Sequence, residues 1–189
     1  MQKRFFSMAY KRFRSDGPVQ QIRIRAAAGC RNRGWLSAGG RTIPVALGRG
    51  GILANKREGD GGTPRGIFRP RRLWWRADRH KRPRTFLPLR RIRAGDAWCE
   101  DPSDRRYNQR ISVPEGSKAD RLARQDALYD LIIELDHNTR PRTAGRGSAV
   151  FVHVARPGFK PTAGCIALSM PTLRRLLAQV GPQTRIAIF

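Results

Sequence analysis

The chain has 189 residues, with 39 lysines and arginines against 14 aspartates and glutamates, a formal net charge of +25. That length suits one domain with a real core, and no apolar run reaches the roughly 18 residues that a membrane-spanning helix needs. The charge favours anionic polymer or a membrane surface as partner, but the arginines are scattered from Arg4 to Arg185 rather than gathered in a stripe, which argues against dedicated nucleic-acid binding.

Residues 1–18 read as a basic, disordered leader. Lysines and arginines alternate there with Phe5, Phe6, Tyr10 and Phe13, and neither the apolar core nor the small-residue cleavage site of a secretory signal is present. One domain is expected over residues 19–189. Residues 19–25 alternate apolar and polar like a half-buried strand. A turn at 29–33 precedes strands at 35–38 and 42–47, joined by Gly39-Gly40. Glycines at 48–51 and 59–62 bracket a polar loop; they lack the ending and the following helix of a phosphate loop. Residues 67–75 read as a strand with Trp74 and Trp75 on opposite sides. The Arg- and Pro-rich residues 76–115 form an irregular excursion with one or two short strands. A helix is expected over 117–128, with Ser117 as N-cap and Leu122, Ala123 and Leu128 on its apolar stripe. The almost continuous apolar runs 131–135 and 150–154 read as central strands. Ser169 caps a second helix to about Gln179, with Pro171 in its first turn and Leu173, Leu176, Leu177 and Val180 inward; Gly181-Pro182 stops it. Residues 185–189 form a last strand. The fold class is mainly β with two helices (α+β), arranged as a β-sandwich or barrel-like mixed sheet.

Three cysteines, Cys30, Cys99 and Cys165, with no C-x-x-C pair, argue against a zinc ribbon and a disulfide scaffold. A Cys30–Cys99 bridge stays open, with Cys165 as the natural free thiol. No metal site is expected, because the spacing of His137, His153, Cys99 and Cys165 matches no ligand pattern. His153 ends the apolar run Phe151-Val152-His153, and twelve residues later Cys165 follows Thr162-Ala163-Gly164. A thiol is a weak nucleophile until deprotonated, and a nearby imidazole is the usual device. Gly164 lets the backbone turn sharply, so that the N–H groups of Gly164 and Cys165 can face a developing oxyanion. The segment reads as cysteine-based acyl transfer, with Cys165 as nucleophile and His153 as base. The bland alternatives are a buried core cysteine and a satisfied strand-end histidine. Thr162 either orients His153 or is a plain turn residue. His137, beside Asn138, is either a second base at the edge of a site or part of a turn. Trp74, Trp75 and Trp98 either line a glycan groove or belong to the core.

The His-strand followed by Thr-Ala-Gly-Cys-Ile resembles the catalytic motif of the YkuD-type L,D-transpeptidases of bacterial peptidoglycan. Gly61-Gly62-Thr63-Pro64-Arg65-Gly66-Ile67-Phe68 is similar to that family's Thr-Pro-x-Gly-x-Phe segment. Trp98-Cys99-Glu100-Asp101-Pro102 and the run Tyr129 to Asn138 resemble a branch found in Gram-negative bacteria. The resemblance implies a YkuD-like β fold, a catalytic domain over 19–189, no cofactor, and a cell-envelope location; a cytoplasmic location is the alternative, because no signal is visible. It also implies attack of Cys165 on a peptidoglycan tetrapeptide stem, release of D-Ala, and transfer to an amine of another stem, a free D-amino acid or an acceptor protein, by a monomer. The same Cys/His site used on water, as an L,D-carboxypeptidase or endopeptidase, is the alternative, and a non-catalytic basic module for wall polymer or nucleic acid is a third. Two departures stand out. Ala167 sits where the family usually has Arg or Asn, and the His-to-Cys loop is shorter. Substrate anchoring is therefore expected from Arg156 and Lys160, which can hold a carboxylate by charge-assisted hydrogen bonds, with His137 and Asn138 as further contacts.

Overall fold

The computed structural model describes residues 17–114, 117 and 119–189. The leader expected at 1–18 lies outside these residues except for Gly17 and Pro18. Along the chain run β1 (Gln21–Ala27), β2 (Cys30–Ala38), β3 (Arg41–Ala46), β4 (Ile52–Leu53), β5 (Thr63–Pro64), β6 (Gly66–Phe68), β7 (Pro70–Trp75), β8 (Leu89–Arg91), β9 (Asp96–Trp98), β10 (Arg110–Ser112), β11 (Asp120–Arg121), β12 (Leu131–Leu135), β13 (Phe151–Val154), β14 (Ile166–Leu168), α1 (Met170–Leu177) and β15 (Arg185–Ile188).

Ten strands form one mixed sheet in the order β6-β15-β1-β2-β3-β14-β13-β12-β7-β8. The apolar runs 131–135 and 150–154 form interior strands of it, β12 and β13, the eighth and seventh in that order. These strands are covered on both faces, which is why they carry no polar alternation. On one face Ile22, Ile24, Leu36, Val45, Leu131, Ile133, Val152, Ile166 and Leu168 pack with Leu173, Leu176 and Leu177 of α1. On the other, Trp74, Ile132, Phe151 and Cys165 pack with Trp98 and Leu122, which belong to the excursion and its small sheet β10-β9-β11. Trp74 and Trp75 do face opposite sides, and both are buried. Trp98 and Trp74 are core aromatics, meeting edge-on at 6.3 Å, rather than a glycan platform.

Two expectations fail locally. The excursion 76–115 holds three short strands, β8, β9 and β10. The segment expected to be a helix over 117–128 is instead the two-residue β11 followed by bends and turns, with Lys118 outside the described residues. Asp120 and Arg121 pair with Trp98 and Ala97 of β9, and Leu122 is fully buried in the second core cluster. Pairing to β9 and burial of that one leucine outweigh a short amphipathic stripe. The helix after Ser169 forms but ends at Leu177, short of the expected Gln179, and Ser169 makes no side-chain capping bond; it is the one α-helix among the described residues. Cys30, Cys99 and Cys165 are all free thiols.

Candidate active site

The strand pair β13–β14 builds the site. The two run parallel, with Val152 opposite Ile166, His153 opposite Ala167 and Val154 opposite Leu168. Side chains alternate between faces along a strand. Val152, Val154, Ile166 and Leu168 therefore enter the main core, and His153, Ala167 and, one residue before β14, Cys165 share the opposite face. Both His153 and Cys165 line a cleft of about 550 Å³, together with Arg49, Glu100, Asp120, Arg124, Leu128, Tyr129, Arg156, Lys160 and residues 161–163.

The turn before Cys165 is braced from behind. Gly164 has φ +145°, and a Cβ there would lie 2.8 Å from the Gly62 carbonyl oxygen. Gly62 is drawn in by Asp60, whose carboxylate accepts from the Gly62 N–H at 2.8 Å and pairs with the buried Lys56 ammonium at 2.6 Å. The Cys165 carbonyl accepts from the Thr162 hydroxyl at 2.7 Å and from Thr63 at 3.5 Å. The Thr63-Pro64 segment thus reaches the cysteine directly. Thr162 also accepts from the Gly164 N–H at 3.2 Å, so its hydroxyl belongs to the cysteine turn and does not orient His153. That bond engages the Gly164 N–H, one of the two expected oxyanion donors.

The Cys165 thiol donates to the Ala149 carbonyl at 3.1 Å. Ala149 sits at φ +50°, a conformation rare outside glycine. It is fixed by Asn108, whose Oδ1 accepts from the Ala149 N–H and from the Trp98 indole. His153 Nδ1 lies 2.8 Å from the Val154 carbonyl. A carbonyl only accepts, so Nδ1 carries the proton and Nε2 keeps its lone pair, the tautomer a base requires. Burial brings the imidazole down to about 4, with Arg124 and Arg156 adding to the fall. Burial likewise pushes the Cys165 thiol up to about 12, and the nearby Asp120 and Glu100 raise it further. At neutral pH both groups therefore rest uncharged, with the thiol bonded to the Ala149 carbonyl rather than to the imidazole. Desolvation, then the charges of Asp120 and Glu58, raise Glu100 to about 7.

This cysteine site lies within a recognisable domain. Residues 31–188 match the family model of the L,D-transpeptidase catalytic domain, YkuD. The chain belongs to that family. Similar solved structures are Bd1075 of Bdellovibrio bacteriovorus, 13% identical with a TM-score of 0.44, and two proteins of Mycobacterium tuberculosis. These are L,D-transpeptidase 1, 16% identical with a TM-score of 0.38, and L,D-transpeptidase 3 with a faropenem-derived adduct, 14% identical with a TM-score of 0.41. The alignments cover 90%, 89% and 90% of this chain but 48%, 61% and 60% of the others, so the chain spans about half to three-fifths of their length. No match was found among curated proteins.

Against the family pattern, Ala167 lies directly opposite His153 in the register, where an arginine would set a cation beside the imidazole. Arg156 and Lys160 do line the cleft, as does Arg124, which carried no sequence signal. His137 and Asn138 do not line it. His137 Nε2 meets the Arg146 carbonyl at 3.0 Å, and the Asn138 side chain bonds Thr143 and Gly147, so both close the loop 137–147. Tyr129, Thr63 and Ala149 stood inside or beside family-like runs without an assigned role, and Asp120 stood in the expected helix 117–128. Their part depends on contacts across 9 to 102 residues of chain, which no local spacing encodes.

Proposed function

We propose that this chain is an L,D-transpeptidase acting on peptidoglycan tetrapeptide stems in the cell envelope. The observation that carries the reading is the parallel β13–β14 pair, which sets an unprotonated imidazole nitrogen and a hydrogen-bonded thiol on one face of one cleft. Cys165 Sγ attacks the carbonyl of the third stem residue while His153 Nε2 takes the thiol proton. The Cys165 N–H donates to the oxyanion. The C–N bond to the terminal D-Ala breaks, His153 returns its proton to the leaving amine, and a thioester remains on Cys165. An acceptor amine then forms a new C–N bond as the C–S bond breaks, with the amine proton passing through His153 to the thiolate. Because the resting pair is neutral, proton transfer accompanies attack rather than preceding it.

The cleft carries groups of both signs. Arg156, Lys160 and Arg49 suit the carboxylates of a stem peptide, while Glu100, beside the Asp120 that Arg124 pairs with at 3.7 Å, suits an ammonium, the charge an acceptor amine brings and water lacks. This favours transfer over hydrolysis. Incubation with a disaccharide-tetrapeptide and a free D-amino acid tests it by product analysis. Transfer gives D-Ala with an exchanged or cross-linked product. A hydrolase gives D-Ala with tripeptide alone, and a non-catalytic binding module gives neither.

A further inference from the structure

A base in a catalytic pair is normally oriented by a third group. The Val154 carbonyl fixes the His153 proton, but a single hydrogen bond to the next residue's backbone leaves the ring free to swing about that contact. Tyr129, one residue ahead of Asp130 and two before β12, supplies the missing restraint. Its ring meets the imidazole edge-on, with centroids 5.4 Å apart and planes at 76°. It also meets Phe151, the neighbour of His153 on the same strand face, at 6.1 Å and 86°. Its hydroxyl donates to Asp120 Oδ2 at 3.2 Å. Asp120 is itself held by pairing with Trp98 of β9, and the Arg124 guanidinium lies over the ring, 5.1 Å from its centroid. Tyr129 also lines the cleft, so it closes one wall of the space that holds the imidazole.

We propose that Tyr129 is the positioning residue of His153, tethered by Asp120 to the small sheet, and that it keeps the imidazole in place and dry. The inference rests on His153 acting as the base, the reading proposed above, but not on the identity of the substrate. The charged groups that act on His153 are Arg124 and Asp126 ahead of β12 and Arg156 after β13; Cys165, Asp120, Glu100, Arg49 and Lys160 line the same cleft. None of these touches the imidazole ring in the edge-on manner of Tyr129, so loss of the tyrosine ring admits water where a hydrophobic wall stood.

The test is the pH profile of Cys165 alkylation by iodoacetamide, which needs no substrate, measured on the full chain and on Tyr129→Phe, Tyr129→Leu and Asp120→Asn. A hydrated imidazole returns toward its ordinary value of about 6.5. Tyr129→Leu is therefore expected to move the acid limb of the profile upward by one to two pH units (roughly the gap between a dry and a wet imidazole). It is also expected to slow alkylation at neutral pH by about tenfold or more. Tyr129→Phe keeps the ring and loses only the tether, so it retains the acid limb and slows the reaction by a few fold, as Asp120→Asn does. If Tyr129→Leu does not fold, the comparison of Tyr129→Phe with Asp120→Asn still decides: equal small losses support the tether, and a parental rate in both overturns it. A parental acid limb in folded Tyr129→Leu overturns the proposal. An acid limb absent from the parent and kept absent in His153→Gln shows instead that His153 is not the base, and the proposal falls with that reading.

Discussion

At the scale of single residues, the unusual feature is that Cys165 and His153 are both held uncharged. Ionising either one costs desolvation in a nearly closed site, and the flanking charges oppose it, acids near the thiol and arginines near the imidazole. The sign of the pH dependence follows. His153 accepts a proton only when neutral, so adduct formation rises as pH climbs through about 4 and stays up through neutrality, without the narrow bell of a pre-formed ion pair. His153→Gln is expected to lower the rate by about 10²–10⁴, with the acid limb lost. The same depressed value is a statement about stability. Its contribution is complete above the ordinary value of 6.5 and is lost as pH falls toward 4, because the unfolded chain takes up the proton first. By that linkage the parent loses about 3 kcal/mol relative to His153→Gln between pH 7 and pH 4, measured by urea unfolding of both. Equal pH slopes in the two proteins would contradict the buried neutral imidazole. In the proposed function Arg156 and Lys160, which line the cleft, act on substrate rather than on the thiol. Arg156→Ala with Lys160→Ala is expected to raise KM by about tenfold with little change in kcat, and an unchanged KM would remove them from the binding site.

At the scale of elements, the cysteine turn is shaped by a segment a hundred residues earlier. The loop ending in Gly61-Gly62-Thr63 presses its backbone against Gly164, and the Lys56–Asp60 pair holds that loop down. A side chain at Gly164 must push the Gly62 carbonyl away and also adopt a left-handed backbone. Gly164→Ala is therefore expected to cost about 1–3 kcal/mol in thermal unfolding and to cut adduct formation by roughly 10² through a displaced Cys165 N–H. A fully active, equally stable Gly164→Ala would show that the contact with Gly62 is slack. The Lys56 ammonium is almost wholly buried, so Lys56→Met leaves Asp60 short of its counter-charge and loosens the same turn. The expected loss is about 2 kcal/mol, with lower Cys165 reactivity, read by thermal unfolding and by alkylation.

At the scale of the whole molecule, what was legible in sequence was what is periodic or adjacent. The interior strands β12 and β13, the hairpins around Gly39-Gly40, and α1 with Pro171 at its start all follow from local pattern. So does the Cys165 turn, because Thr162, Gly164 and Cys165 are neighbours in the chain. The segment 117–128 misled because its helical stripe is short and its Leu122 is claimed by the second core, which sequence does not announce. The walls of the cleft were hidden for the same reason. Glu100, Asp120, Arg124 and Tyr129 reach His153 and Cys165 only after the excursion folds back as β9, β10 and β11. The central claim is that this assembled cleft forms a thioester on Cys165. Its most direct test is intact-protein mass spectrometry of the chain mixed with a disaccharide-tetrapeptide, beside Cys165→Ala and His153→Gln. The account predicts a peptidyl adduct, lighter than the added substrate by D-Ala, on the parent protein, a much slower one on His153→Gln and none on Cys165→Ala. An adduct that survives Cys165→Ala, or D-Ala release that does not depend on Cys165, would contradict it.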